Sequence, residues 1–234
     1  NPYISPLSWS SIPLARKVNV SNAIYMTDNT SGGLTIQRSY VNGIGVPTGT
    51  TDIIAPSQAF WVQATAPGAS LEFKEEDKIQ ADFNLYRLSS LDGLVRFVVK
   101  SSKDEEDEFV VRYNQNSSTD FDLSFDALQL HQNSLKAYST CTDSIPMDVN
   151  NLPSSEQDSV SIILENLTEG EYSIEVSEYA INDENYQYQF VDLALDVAIS
   201  LNELSNYSFE VTTEKELKDR FFLVTKKTEE VVSS

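Results

Sequence analysis

The chain is poor in the residues on which most protein chemistry depends. Its 234 residues include one cysteine, Cys141, and one histidine, His131. A lone thiol forms no internal disulfide and offers no thiolate quartet for zinc. A cysteine nucleophile also needs a base, and no further pattern around His131 builds such a pair. We read Cys141 as a packed or idle residue and His131 as an ordinary sheet or loop residue. There is no Gly-x-Ser-x-Gly elbow, no His-Glu-x-x-His pair and no phosphate loop. No apolar run reaches the ~18 residues that would cross a bilayer as a helix. Positive charge is scarce as well. Sixteen Lys and Arg face 36 Asp and Glu, a net charge of −20 at pH 7. A field of that sign repels phosphate backbones and argues against nucleic acid as a partner. With so many carboxylates some approach one another by accident, so a glycosidase pair does not follow from their number. The chain begins Asn-Pro-Tyr, without initiator Met or a basic-then-apolar leader, and we read it as a fragment or a processed product.

What is present is aromatic, turn-rich and strand-like. Eleven Phe and eleven Tyr offer large areas for burial. Five of the eight glycines lie between residues 32 and 49, and Pro2, Pro6, Pro13, Pro47, Pro56 and Pro67 add further breaks. The apolar pieces between them, such as those at 23–26, 53–54 and 59–62, are too short for helices and read as strands. The segment 1–73 carries three basic and three acidic groups, so the whole negative charge falls on 74–234. The charged run 74–78, KEEDK, marks the expected boundary, the alternative being an exposed turn between packed parts. We therefore expect a turn-rich β module at 1–79, an acidic β-sandwich at 80–226 and a tail or linker at 227–234.

The second region centres on residues 109–130, FVVRYNQNSSTDFDLSFDALQL. Phe109, Val111 and Tyr113 sit two apart and share one face of a strand. A polar turn, an acidic aromatic-bearing loop and a return strand follow, a unit that needs partners on both sides. Further runs are expected around Phe83 and Leu85, at 94–99, 145–149, 160–164, 172–176, 187–191, 194–199, 207–211 and 221–224. The run 104–108, DEEDE, reads as the acidic loop of a hairpin, and 214–219, EKELKD, as a helical turn or a loop. Breaks every 10–15 residues and the lack of amphipathic helices predict an all-β fold of antiparallel sandwiches.

Several blocks together resemble a β-rich region of Bacteroidota secreted and cell-surface proteins. They are NPYISPLSW at 1–9, NAIYMTDN at 22–29, SYVNGIGV at 39–46 and IIAPSQAFWVQAT at 53–65. DEFVVRYNQNSSTDFDLSFDALQL at 107–130 resembles that family's strand, Asn-rich loop and FDxxFDAxKL element. IPMDVNNLP, LTEGEYSIEV, LNELSNYSFEV and RFFLV follow in the expected order. Such regions lie upstream of C-terminal sorting domains used by the type IX secretion system. The resemblance implies an extracellular or surface location, partners among type IX secretion components or other surface proteins, and no chemistry of its own. Ala59 stands where the family tends to have Gly, and no basic sorting domain follows Val224.

Three sets of candidate site residues follow. Asp120, Asp122 and Asp126 crowd one loop and would supply oxygen ligands to a structural Ca²⁺, although the loop lacks the Gly and terminal Glu of an EF-hand. The alternative is an acidic turn whose side chains bond their own backbone. The resemblance implies O-glycans on Asp-Ser/Thr-apolar triplets, which fits Asp143-Ser144-Ile145 and Asp158-Ser159-Val160 and makes Ser144 and Ser159 acceptors. Trp9, Trp61 and Tyr40 would form a stacking platform for glycans if exposed, or core packing if not. Two functions remain open: a non-catalytic structural or spacer module, and a carbohydrate-binding or adhesion module.

Overall fold

The computed structural model describes residues 1–29, 35–79, 91–130, 134–153, 159–202, 204, 206–213 and 215–228. The expected runs around Phe83 and Leu85 lie outside the described residues. The first region contains β1 (Leu7–Ser8), β2 (Lys17–Val18), β3 (Val20–Asn29), β4 (Thr35–Val41), β5 (Ile44–Val46), β6 (Ile53–Ile54), β7 (Phe60–Ala64) and β8 (Ser70–Leu71). The second contains β9 (Leu94–Ser101), β10 (Glu106–Tyr113), β11 (Ala127–Leu128), β12 (Lys136–Thr140), β13 (Pro146–Leu152) and β14 (Val160–Leu167). It ends with β15 (Gly170–Ala180), β16 (Tyr186–Asp192), β17 (Val197–Ser200), β18 (Asn206–Val211) and β19 (Lys215–Lys227). Among the described residues the helical pieces are single 3-10 turns at Leu14–Arg16 and Glu75–Asp77.

The fold is all-β and built in layers. A small sheet runs β5-β4-β3-β7, and a large one runs β17-β16-β19-β14-β12-β13-β10-β9-β15-β18, with β11 added to β13. Pairing is antiparallel except between β10 and β13, which run parallel. Alternation along β10 sets the stacking. Phe109, Val111 and Tyr113 enter the main core with Phe97, Ile162, Phe190 and Phe221, while Val110 faces the other way. There it meets Leu94, Ala127 and Val149 from the large sheet and Ala23, Tyr25, Val41, Ile44 and Val46 from the small one. The opposite face of the small sheet, through Ile24 and Tyr40, packs on Leu7, Trp9, Ile12 and Ile54. Both faces of β10 are therefore buried, which is why its pattern reads as a continuous apolar run at 109–111.

The large sheet curls until its far strands meet. Tyr207 and Phe209 of β18 reach Phe190 and Phe221 of β16 and β19, with ring centroids 4.9–6.4 Å apart. The Tyr207 hydroxyl donates to Asp192 Oδ2 at 2.7 Å, and Arg220 reaches the same carboxylate from Nε at 3.0 Å and Nη2 at 2.8 Å. Burial alone would raise the Asp192 carboxyl, but the hydrogen bonds from Arg220 and Tyr207 outweigh it and hold the group below the usual carboxylate range.

Two expectations are corrected. The acidic run 104–108 is not a solvated loop throughout: β10 begins at Glu106, and Asp107 and Glu108 are buried. Asp107 Oδ2 accepts from the Ala137 amide at 2.8 Å, and Glu108 pairs with Arg96. Over 215–219 the run is neither helical turn nor loop, because β19 starts at Lys215 and pairs with β14 through Leu217. The charged run 74–78 is an anchored turn. Asp77 is fully buried and takes both arms of the Arg16 guanidinium at 2.7 Å. The regions on either side of that turn share the middle core described above.

Candidate functional site

The site lies where the small sheet overhangs the large one. Tyr25 on β3 pairs with Ser39 on β4 and with Trp61 on β7, and Thr27 pairs with Gln37. Directly paired residues project from the same face, so Tyr25, Thr27, Gln37 and Trp61 all point toward the second region. Nearer the centre of the sheet this face is covered by the middle core. β7 is an edge strand of this sheet, and there the cover ends. Leu128 and Leu130 close the opposite side, leaving a groove of about 440 Å³.

Its walls combine an aromatic face with amides. Trp61 is 62% exposed and Leu130 38% exposed, both unusual for such large apolar side chains. Gln37 and Gln63 also line the groove, and no charged side chain does so among the described residues. Gln63 Oε1 is buried without a hydrogen-bond partner. Among the described residues the Gln37 Oε1 meets the Thr27 hydroxyl at 3.5 Å, too long to bind it firmly. One wall is held rigidly: the Leu128 amide donates to the Tyr25 hydroxyl at 2.8 Å. Burial pushes that phenol's pKa well above its ordinary value, so it stays neutral.

The element that carries Leu128 is fixed by its own acidic turn. The Asp122 amide donates to Asp126 Oδ2 and the Asn151 amide to Asp126 Oδ1, both at 2.7 Å. The Ser124 amide donates to Asp122 Oδ1 at 2.8 Å. From this turn the Leu123 carbonyl accepts from the Asn22 amide at 2.9 Å, and the Ser124 carbonyl accepts from Asn42 Nδ2 at 2.6 Å. Burial raises the Asp126 carboxyl to about 7, against the pull of those two amides.

The candidates from sequence separate accordingly. Of the three aromatics, only Trp61 presents a face to solvent. Trp9 is buried, donates from Nε1 to the Asn22 carbonyl at 2.7 Å and is covered by the Lys17 ammonium 4.0 Å from its ring centre. Burial lowers that ammonium's pKa to about 8. Tyr40 is buried with its hydroxyl 3.1 Å from Ser10 Oγ. Both belong to the core beneath the small sheet and cannot stack on a ligand. Asp120 is exposed, while Asp122 and Asp126 turn toward backbone amides. Among the described residues no three His, Cys, Asp or Glu converge as a metal-ligand set, so these three are not brought together as one. Ser144 is exposed in the tight turn between β12 and β13, and Ser159 is exposed just before β14. Asp158 and His131 lie outside the described residues. Cys141 is a buried free thiol. The groove partners Tyr25, Gln37 and Gln63 were missed from sequence. The signal for them is strand register, which places Gln37 and Trp61 on one face only once β3, β4 and β7 are aligned.

Fold and site together define a layered all-β module with an uncharged aromatic groove at the overhang of its smaller sheet. The model for a domain of unknown function, DUF8693, matches residues 5–224, and the chain belongs to that family. The match runs through the turn at 74–78, so one family domain includes both sheets. Neither the curated proteins nor the solved structures contain a match.

Proposed function

We propose that this chain is a non-catalytic structural or spacer module of a secreted or surface-anchored bacterial protein exported by the type IX secretion system. The observation that carries the reading is the seam between the two sheets. A spacer must resist bending, and here buried charge is used to join layers. Arg96, 4% exposed, donates to the Gly45 carbonyl of the small sheet at 2.9 Å, while also pairing with Glu108 and Glu178. Glu108 in turn accepts from the Thr48 hydroxyl at 3.0 Å. Gly45 is itself fixed by the close pass of the Thr50 backbone, since a Cβ there would lie 2.0 Å from the Thr50 carbonyl oxygen. The ordered blocks that resemble Bacteroidota surface proteins supply the cellular context, and the exposed Ser144 and Ser159 are the acceptors for O-glycans.

The test is a domain exchange in a type IX-secreting host. Replacing the module by an unrelated rigid β-sandwich of similar length leaves surface display and upstream activity intact if the module is a spacer. Loss of either despite normal folding rejects that role. In a strain lacking the type IX translocon, surface labelling of the intact protein disappears; persistent labelling rejects the export route. The exposed Trp61 beside a groove favours a second reading, in which the module also binds glycans.

A further inference from the structure

We infer that the groove between Trp61 and Leu130 is a subsite for a neutral pyranose unit of a glycan. Three observations converge on this ligand class. The first is charge: in a chain of net charge −20, no acidic or basic side chain lines this groove among the described residues. An anionic ligand would face a repulsive surround and a cationic one would meet no carboxylate among the described walls, so an uncharged ligand is favoured. The second is the division of the walls. A pyranose has a polarised C–H face and a rim of hydroxyls. The C–H face suits the negative face of the Trp61 indole, whose quadrupole attracts partial positive charge. The hydroxyl rim suits the Gln37 and Gln63 amides, which offer both donors and acceptors.

The third is spare hydrogen-bonding capacity. The Tyr25 hydroxyl and the Asp122 and Asp126 carboxylates near the site are tied into the fold. The Gln63 Oε1 has no internal partner to give up. A Gln63 amide that turns to meet a ligand hydroxyl therefore gains a hydrogen bond without breaking one. The volume, about 440 Å³, falls within the ~300–1,000 Å³ typical of small-molecule sites. Tyr25, clamped through Leu128, holds the floor in place whether or not the site is filled. The subsite relocates the aromatic platform: Trp61 remains, and the buried Trp9 and Tyr40 give way to Gln37 and Gln63.

The test uses the whole chain and panels of neutral gluco-, xylo-, manno-, galacto- and N-acetylglucosamine oligosaccharides. Calorimetric titration is run alongside intrinsic fluorescence, in which the exposed Trp61 responds and the buried Trp9 does not. We expect at least one series to bind and shift the emission to the blue. Trp61→Ala removes the fluorescence response and weakens binding roughly tenfold, in line with loss of one aromatic contact. Gln63→Leu weakens it while sparing the fluorescence shift at saturation. Unchanged melting of both variants shows that the loss is local. Absence of binding by every series, or binding that Trp61→Ala leaves intact, overturns the proposal. So does a result in which Trp61→Ala changes only self-association at high concentration, since the groove would then be an interface between copies. The domain exchange above reads export and spacing, so it can fail or succeed independently.

Discussion

Two polar regions lie close together in this molecule and are finished in opposite ways. At the seam, Arg96, Glu108 and Asp126 are buried and every one is engaged with another part of the chain. In the groove, Gln37 and Gln63 are partly exposed and weakly held. Buried charge without partners is strongly destabilising, so the seam must satisfy itself. An uncharged amide left unfilled costs less than a buried charge left unpaired. The difference separates what holds the module together from what is left available to an outside molecule.

The sharpest way to break the comparison is at Arg96. Arg96→Ala leaves Glu108 buried beside the Thr48 hydroxyl with its positive partner gone, and frees the Gly45 carbonyl. Removing one member of a buried pair costs about 3–5 kcal/mol, so we expect urea unfolding to shift by that amount. The double variant Arg96→Met, Glu108→Leu recovers a large part of it, because apolar replacements remove the uncompensated charge. A cost within the error of a surface substitution would mean that the seam is not what joins the sheets.

Tyr25→Phe tests the boundary between the two regions. It keeps the ring in the middle core and deletes the oxygen that receives the Leu128 amide. A buried N–H left without an acceptor costs about 1–3 kcal/mol. Amide exchange at Leu128 should quicken while that of the main core strands, such as β10, stays slow in proportion to global stability. If Leu128 exchange is unchanged, the clamp does not hold the groove wall.

How much of this was legible before the structure depends on whether a residue's role is local. The strands at 94–99, 109–113, 160–164 and 172–176 follow from alternation and β-branched runs, which are properties of neighbouring residues. The antiparallel sandwich class follows from their number and spacing. Buried charge was not legible. Glu108 reads as part of an acidic hairpin because its partner Arg96 is twelve residues away and becomes its neighbour only through the register of β9 with β10. The fates of Trp9 and Trp61 were equally hidden. Trp9 is flanked by serines and Trp61 lies in an apolar run, yet the first is buried under the small sheet and the second is exposed on its edge strand β7. The acidic turn at 120–126 was half legible: its carboxylate-to-backbone pattern is a local motif, whereas the link from Asp126 to Asn151 is not.

Asp126 adds a pH dependence to the comparison. Its carboxyl is raised from 3.8 to about 7, chiefly because burial disfavours the charged form. Between those values the folded chain keeps a proton that the unfolded chain has released. The stability from this group is therefore complete below the unfolded value and is lost as pH rises through about 7. One proton of difference corresponds to a slope of at most ~1.4 kcal/mol per pH unit. The acidic surface also relaxes on protonation, so the measurement is a difference: wild type minus Asp126→Asn, by urea unfolding at several pH values. We expect that difference to fall between pH 4 and 7 and to level off above. A flat difference would mean that Asp126 is ionised throughout, held by the Asp122 and Asn151 amides.

The smallest expected effect is the one that gives the groove its meaning. Trp61→Ala removes one of the two tryptophans, yet the side chain is 62% exposed on an outermost strand and supports no core cluster. Its removal should alter stability by no more than about 0.5 kcal/mol, as for surface positions away from structural features. Large apolar groups are rarely left in water when the fold can bury them. A tryptophan that stability does not require, beside amides whose bonds the fold leaves unfilled, is a residue available for contact with something outside the chain. Should Trp61→Ala instead lower the unfolding midpoint as Tyr25→Phe does, the indole belongs to the packing of β7. The contrast between a finished seam and an open groove would then collapse.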